Sequence, residues 1–252
     1  MALWALLALS LCACAKEPKR KHGGLRQHAG AVLTGTVRLA ADALLPRYAD
    51  ADMVRHPLQP LDLQAPPNAC EAANKTASQP VKLAAKRGLA GVVVAASDFV
   101  RAQQHERTPK THEIAIRNCT LTPQTLTATV GDTVVIVNED PRDYAPMFGP
   151  LLHAAVLPPG ERVAVPLGGA GIESVMCARQ APCGRTDVVA FHHEVHTVTD
   201  AQGHFRLEGF PAGESVRVSA WHPLFEVSET FVWVEPNQQR EAELVLRPRA
   251  GL

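Results

Sequence analysis

The stretch that decides the fold is residues 130–140, which read Val-Gly-Asp-Thr-Val-Val-Ile-Val-Asn-Glu-Asp. A Gly-Asp turn is followed by a run of mostly β-branched residues from Thr133 to Asn138, the composition typical of a strand buried in a β-sandwich. Short runs of the same kind, separated by Gly, Pro, Asn and Asp, recur along most of the chain. We therefore expect an all-β protein.

Further strands are expected at residues 31–39, 91–94, 113–118, 125–129, 152–157, 162–165, 173–177 and 188–191. Residues 40–80 carry six prolines and are expected to form a long connection. Residues 40–54 offer room for a short helix, which Pro46 would confine.

Two segments near the decisive stretch have a recognisable spacing. Residues 118–123 read Asn-Cys-Thr-Leu-Thr-Pro, and residues 177–183 read Cys-Ala-Arg-Gln-Ala-Pro-Cys. Together with the Asn-x-Asp loop they resemble the cupredoxin fold of plastocyanin-like copper proteins. In that family the loop runs Asn-x-Asp-x-x-x-His, and Cys-x-x-His-x-x-Met follows much later. The resemblance implies a Greek-key β-sandwich.

The same resemblance identifies the positions at which that family holds copper. In this chain they are Tyr144, Cys177, Gln180 and Cys183, so only Cys177 matches a family ligand. A blue-copper centre needs two imidazoles and a thiolate in a trigonal array, with a weak axial ligand. The resemblance therefore implies a degenerate copper site, and no copper cofactor is expected.

A second pattern lies near the C-terminus. Residues 197–207 read Thr-Val-Thr-Asp-Ala-Gln-Gly-His-Phe-Arg-Leu, and a Pro-Ala-Gly turn follows. They resemble the carboxypeptidase regulatory-like domain, a small β-sandwich marked by a Thr-Asp-x-x-Gly-x-Phe-x-Leu hairpin. Asp200 and Gly203 bracket a tight turn, and Phe205 and Leu207 fall on one face of a strand. The resemblance implies a fold and brings no catalytic residues.

Residues 197–246 provide only four or five strands, too few to close such a sandwich. Gly35-Thr36-Val37 supplies the Gly-x-Val of that family's first strand, and residues 91–94 supply a second strand. We therefore expect the cupredoxin-like sandwich to be inserted in, or joined to, the regulatory-like sandwich. A bacterial family of exported plastocyanin-like proteins shows a similar arrangement.

The expected division of the chain has five parts. They are residues 1–14, a signal peptide with lipobox; 15–29, a polar tether; 30–106, the N-terminal part of the regulatory-like sandwich with its Pro-rich loop; 107–190, the cupredoxin-like domain; and 191–252, the C-terminal part of the regulatory-like sandwich.

The beginning of the chain resembles an export signal. Residues 1–13 form an apolar run too short to span a hydrocarbon core of ~30 Å but suited to a signal peptide. Its ending, Leu-Cys-Ala-Cys, resembles a bacterial lipobox and implies lipidation of Cys14. A plain secretory signal is the alternative. We expect an exported lipoprotein of the bacterial envelope, on the periplasmic side of the outer membrane or on the cell surface.

Four cysteines remain after the export segment, and an even number in an exported chain indicates two disulfides with three alternative connectivities. In the copper-binding relatives the position of Cys177 is a metal ligand and unavailable. A disulfide elsewhere would then join Cys70 and Cys119, and the extra Cys183 would pair with Cys177. The resemblance thus favours Cys70–Cys119 with Cys177–Cys183.

Composition and motifs argue against two broad classes. The 25 basic and 25 acidic residues leave no net charge to attract nucleic acid. The sequence contains no Gly-x-Ser-x-Gly elbow, phosphate-binding loop or dinucleotide fingerprint. We expect a protein that is not an enzyme, with no catalytic residues.

The densest histidine cluster is residues 191–196, Phe-His-His-Glu-Val-His. In an extended strand His192, Glu194 and His196 would share a face, and two imidazoles with a carboxylate can bind Zn²⁺ or Cu²⁺. Neighbours on that face stand ~6.6 Å apart, too wide for three side chains to reach one ion easily. Solvated surface histidines are therefore favoured over a metal site. His222, after Trp221, is expected to be a packing residue.

Three functions stay open at this point. The favoured one is a non-enzymatic envelope lipoprotein whose degenerate cupredoxin acts as a binding or scaffold module, with an envelope protein or a glycan as partner. The alternative is a copper-binding or electron-transfer protein with a rebuilt site drawing on Cys177, Cys183, His153 or the 192–196 cluster. A weaker alternative is a carbohydrate-binding module with Trp221 and Trp233 as platforms.

Lipid anchoring can be tested at Cys14. If it carries the anchor, Cys14→Ser should move the protein from the membrane fraction to the soluble fraction, as measured by fractionation and immunoblotting. Cys12→Ser is the matched control and should leave the protein with the membranes. Sedimentation of the Cys14→Ser protein with membranes, as for the wild type, would contradict lipidation at this residue.

Overall fold

The computed structural model describes residues 31–57, 61–63, 67–99, 107–153 and 155–250. Strands dominate the described chain, and the all-β class predicted from the sequence is confirmed. Cys14 and the predicted signal peptide and tether lie outside the described residues. No helix in the described ranges is long and apolar enough to cross a membrane.

The first strands are β1 (Ala31–Leu39), β2 (Lys82–Leu83), β3 (Leu89–Ala90), β4 (Val93–Ser97), β5 (Thr111–Arg117), β6 (Thr120–Thr122), β7 (Thr125–Thr129) and β8 (Thr133–Asn138). The later strands are β9 (Pro146–Phe148), β10 (Arg162–Pro166), β11 (Gly171–Cys177), β12 (Arg185–Phe191), β13 (His196–Val198), β14 (His204–Phe210), β15 (Ser215–Trp221), β16 (Ser228–Trp233) and β17 (Gln239–Leu246). Among the described residues, one α-helix, α1, spans Asn68–Ala77, and short 3-10 helices span Asp50–Met53 and Ala85–Arg87.

Strands from both ends of the described chain form one pair of sheets, which we call the terminal sandwich. Its sheets have the orders β14-β1-β17 and β13-β4-β15-β16. Strand β1 runs parallel to β17 and antiparallel to β14. Leu33 and Val37 of β1 pack with Val94 of β4 and Val218 of β15 in one core between the sheets.

Strands β5 to β12 form the other pair, which we call the middle sandwich. Its sheets have the orders β10-β8-β5-β6 and β7-β12-β11-β9. The pairs β5–β8 and β7–β12 are parallel, so these neighbours cannot be simple hairpins. Ile114 and Ile136 of one sheet pack with Phe148 and Val175 of the other in a second core. The decisive stretch supplies the centre of this sandwich.

The pairing of β1 and β4 with β13 to β17 brings strands before residue 100 into sheets with strands after residue 195. If residues 107–190 are inserted in the terminal sandwich, its strands must come from both sides of the insertion, and this pairing meets that requirement. The domain boundaries themselves stay a prediction.

Two local predictions were wrong. The expected strand at residues 152–157 forms only isolated bridges, from Leu152 to Phe148 and from Leu157 to Tyr144. The long connection contains α1, a helix that was not expected there because the connection carries six prolines. Four alanines in its ten residues favour a helix, and Pro67 precedes its first residue, where no intrahelical partner is needed for a backbone N–H.

Two disulfides close the described structure. They join Cys70 to Cys119 and Cys177 to Cys183, the connectivity that the resemblance favoured. The first attaches α1 to the turn between β5 and β6, so the connection is covalently tied to the middle sandwich.

Gly35 offers a test of the split terminal sandwich. A Cβ at this residue would overlap the carbonyl oxygen of Ala242 in β17 and lie 2.6 Å from the Phe205 ring in β14. Because both neighbours must shift, Gly35→Ala should lower the free energy of unfolding by about 2–3 kcal/mol. Urea denaturation measures this change.

Gly168→Ala is the matched control, since nothing lies within 4 Å of its added Cβ. It should change the free energy of unfolding by less than about 0.5 kcal/mol. Equal stability of the Gly35→Ala and wild-type proteins would mean that β1 does not lie between β14 and β17.

Candidate functional site

The candidate site is the end of the middle sandwich where the resemblance places the copper ligands. Strand β11 ends at Cys177, and a turn closed by the Ala181 N–H donating to the Ala178 carbonyl, 3.0 Å, returns the chain to Cys183. The two cysteines form a disulfide with their Cα atoms 5.4 Å apart. Both are fully buried, and because their sulfurs are joined, neither presents a thiolate at this site.

The loop after β8 is fixed by the buried side chain of Asn138. Its amide donates to the carbonyls of Arg142, 2.7 Å, and Leu157, 2.8 Å, and its oxygen accepts from the Asp140 N–H at 3.1 Å. One side chain thereby satisfies three backbone groups that a loop would otherwise leave unpaired. The loop geometry is set without a metal.

Tyr144 occupies the position of the family's first histidine. Its ring is fully buried in the middle core, and its hydroxyl donates to Asp140 Oδ2 at 2.8 Å. Asp140 also accepts the backbone N–H groups of Asn118, 2.7 Å, and Cys119, 2.6 Å. Burial, and then the Asp140 carboxylate, raise the pKa of Tyr144 well above its ordinary value. The phenol therefore stays protonated near neutral pH, and its proton is already committed to Asp140.

The remaining positions do not complete a metal site. Gln180 is exposed within the turn that the disulfide closes, and His153, named in the rebuilt-site alternative, is also exposed. Over the described ranges, no group of three or more His, Cys, Asp or Glu side chains is arranged to hold a metal ion. The residues present do not fit a blue-copper centre, because the thiolate and both imidazoles are missing.

The long connection covers this end of the sandwich. The Arg55 N–H donates to the Cys177 carbonyl, 3.0 Å, and the Arg179 N–H donates to the Arg55 carbonyl, 3.1 Å. Leu61 and Leu63 pack on a small cluster of three buried residues, Ala145, Met147 and Ala178. The backbone beside Cys177 is thus paired with the chain's own connection, and sequence reasoning gave no signal of this cover.

The histidine cluster does not form the strand face that its spacing predicted. Strand β12 ends at Phe191 and the chain bends through residues 192–194, so His192, Glu194 and His196 do not share a face. His192 is exposed, whereas the half-buried His196 stacks on Phe191 and contacts the Thr129 hydroxyl at 3.0 Å. Burial and then His193 lower the pKa of His196 to about 4. These residues do not form a metal site.

Glu194 belongs instead to a charged cluster around Asp132 of the Gly-Asp turn. Arg107 bridges the carboxylates of Glu194 and Asp132. Asp132 also accepts the N–H groups of Lys110, 2.6 Å, and Thr129, 2.9 Å. Burial opposes ionisation, yet these donors hold the pKa of Asp132 well below its ordinary value. The cluster stabilises the turn.

A buried polar network at the junction of the two sandwiches was missed from the sequence. Asp187 of β12 accepts from the Tyr48 hydroxyl, 2.5 Å, the Ser174 hydroxyl, 2.7 Å, and Arg185 Nε, 2.9 Å. The Arg185 guanidinium also lies over the Tyr48 ring, 4.2 Å from its centroid. Burial, and then the Asp187 charge, raise the pKa of Tyr48. No motif signalled this network, because Tyr48 is 139 positions from Asp187 in sequence.

His222 lies beside this network and is fully buried. Its Nδ1 accepts from the Leu224 N–H at 3.2 Å, while its Nε2 has no hydrogen-bond partner among the described residues. Its ring packs near Tyr48 and Phe225, with centroids 6.1 and 6.0 Å away. Burial lowers the pKa of His222 to about 4. These contacts make it a packing residue.

Acid should destabilise the fold through His222. Its folded-state pKa of about 4 lies below the ordinary 6.5, so the unfolded chain binds one more proton between these values. The contribution of this residue is therefore complete above pH 6.5 and is lost as the pH falls towards 4. His222→Asn keeps an acceptor for the Leu224 N–H and should reduce the acid-dependent loss by on the order of 2 kcal/mol.

Urea titrations between pH 7 and pH 4 measure this difference. His204→Asn, at an exposed histidine, is the control and should follow the wild type. A parallel loss of stability in His222→Asn and the wild type would assign the acid sensitivity to other groups.

Comparisons with known proteins find similar solved structures but no matching sequence family. No protein-family model matches the chain, and no curated protein matches it. A copper(I) form of an amicyanin variant is 20% identical over 34% of this chain and 87% of amicyanin, with a TM-score of 0.30.

Two other solved structures are similar to comparable portions. A purple cupredoxin from Nitrosopumilus maritimus is 20% identical over 32% of this chain and 99% of its own, with a TM-score of 0.29. A copper-containing nitrite reductase from Thermus scotoductus is 20% identical over 37% of this chain and 25% of its own, with a TM-score of 0.28. Likeness at this level carries no conclusion about activity.

Proposed function

We propose that this chain is a non-enzymatic lipoprotein of the bacterial envelope, anchored through Cys14, in which a degenerate cupredoxin-like sandwich serves as a binding or scaffold module. Its partners would be the membrane, through the lipid, and an envelope protein or a glycan. Nucleic acid is an unsuitable partner, because basic and acidic residues balance at 25 each.

One observation carries the proposal: the family's only retained ligand, Cys177, is joined to Cys183. A disulfide sulfur has no thiolate charge to donate to copper. The Tyr144 hydroxyl is engaged by Asp140, and Gln180 points to solvent as a neutral amide. Of the four family positions, Cys177, Cys183 and Tyr144 are thus engaged in contacts that stabilise the fold, and Gln180 faces solvent.

The cover over this end supports the same function. An electron-transfer protein must bring its redox centre close to a partner, whereas here Arg55 and Leu63 lie against the segments that would surround the metal. Removing this cover would break backbone hydrogen bonds and expose apolar side chains. An end covered by the chain's own connection suits a scaffold.

The copper-binding alternative makes a different prediction where its site draws on Cys177 or Cys183, because those residues then need free thiols. The mature protein, purified without reductant, should contain no titratable thiol and should bind no copper at Cys177. Addition of Cu²⁺ should therefore give no intense sulfur-to-copper absorption in the visible range. Thiol titration in denaturant and visible spectroscopy measure the two quantities.

Two variants calibrate the copper experiment. Tyr144→His, Gln180→His and Cys183→Met together restore the family ligands and test whether the scaffold can still form the coloured site. Cys177→Ser with Cys183→Ser removes both sulfurs and gives the background for copper bound elsewhere. Stoichiometric, strongly coloured copper binding by the wild type, lost in the double Ser variant, would establish the electron-transfer alternative instead.

A further inference from the structure

A pocket lies between the two sandwiches, away from the degenerate copper site. Its volume is about 210 Å³, and both sandwiches contribute to its lining. Strands β4 and β15 of the terminal sandwich form one side, and β11 and β12 of the middle sandwich form the other, together with His193. Pockets at the junction of two folded units are common positions for small-molecule sites.

The pocket exists because small side chains stand at the centre of a sheet face. Ser219 of β15 is paired with Ala95 of β4, and Ser97 follows two residues later on the same face. These three side chains form a shallow floor, which larger residues would fill. The small side chains at these three positions therefore leave space between the sandwiches.

Aromatic and branched side chains surround this floor. Trp221 stands on the same sheet face as Ala95 and Ser219, and Phe191 and Ile172 approach from the middle sandwich. Ile172 is 51% exposed, an unfavourable state for a large apolar side chain beside an apolar pocket. A ligand that covered Ile172 would remove apolar surface from water, and this burial would favour binding.

The polar groups of the lining are few. Among the described residues they are the hydroxyls of Ser97 and Ser219 and the imidazole of His193, without a carboxylate, lysine or arginine side chain. A charged ligand would lose its hydration without finding a counter-ion here. A sugar ring would bury several hydroxyls that these groups cannot all pair.

From this lining we propose that the pocket binds a neutral aromatic ring compound with a single hydrogen-bonding group. An apolar cavity of ~150 Å³ holds benzene, so about 210 Å³ suits a fused bicyclic ring the size of indole or naphthol. The ring lies against Trp221 and Phe191, and its polar group donates to the hydroxyl oxygen of Ser97 or Ser219. Ser219 can only accept here, because its hydroxyl donates to Glu229 Oε1 at 3.1 Å. This site is separate from Cys177, so it binds its ligand whether or not the protein takes up copper.

Indole is the probe, and titration calorimetry on the full-length protein is the measurement. We expect saturable binding with a Kd below about 1 mM, as a ligand of this size can achieve in a preformed apolar site. Cyclohexanol tests the requirement for an aromatic ring, and glucose tests the carbohydrate alternative. Both should bind at least tenfold more weakly than indole.

Variants place the ligand in the pocket. Ala95→Leu fills the floor and Trp221→Ala removes a wall, and each should raise the Kd for indole at least tenfold. Trp233→Ala is the matched control, because Trp233 is exposed on β16 outside the pocket lining, and its Kd should stay within twofold of the wild type. Should Ala95→Leu fail to fold, Trp221→Ala decides the outcome.

Three results would overturn the proposal of an aromatic ligand in this pocket. One is the absence of saturable indole binding up to its solubility limit. Another is saturable binding that Trp221→Ala leaves unchanged, which would place the ligand elsewhere. The third is tighter binding of glucose than of indole, which would replace the aromatic ligand with a carbohydrate.

Discussion

The buried Asp187 carboxylate lies at the junction of the sandwiches and holds the long connection against β12 through the Tyr48 hydroxyl. A carboxylate that is 1% exposed is tolerable only when donors surround it, and Tyr48, Ser174 and Arg185 supply them. Because Tyr48 belongs to the long connection, its hydrogen bond fixes where that connection leaves the terminal sandwich. The chain then passes Arg55 and reaches the end of β11.

The closed end of the middle sandwich follows from this path. The connection pairs with the backbone beside Cys177, and α1 is tied to Cys119 by a disulfide. The disulfide of Cys177 and Cys183 and the Tyr144 side chain, which is hydrogen-bonded to Asp140, occupy positions where the family's copper ligands would lie. The pocket near Trp221 is lined by residues that take no part in this closure.

Local sequence determined the strands whose side-chain pattern matches their burial. Strand β1 alternates buried and half-buried residues along its whole length, and β7 and β8 have the bounds that β-branched composition predicted. Asp200 and Gly203 form the turn expected between β13 and β14. The mismatch at Tyr144, Gln180 and Cys183 could also be read directly, because ligand identity is a property of single residues.

Only the tertiary structure decided which distant groups meet. The bend at residues 192–194 separates His192 from His196, although their spacing alone suited a strand. The Tyr48–Asp187 contact joins residues 139 positions apart, and the floor of the pocket at Ala95 and Ser219 comes from strands more than a hundred residues apart. The alternation of residues along a strand indicates which face of the sheet each side chain lies on. Which residue packs against that face depends on how strands distant in sequence pack together. That packing is governed by burial over the whole molecule.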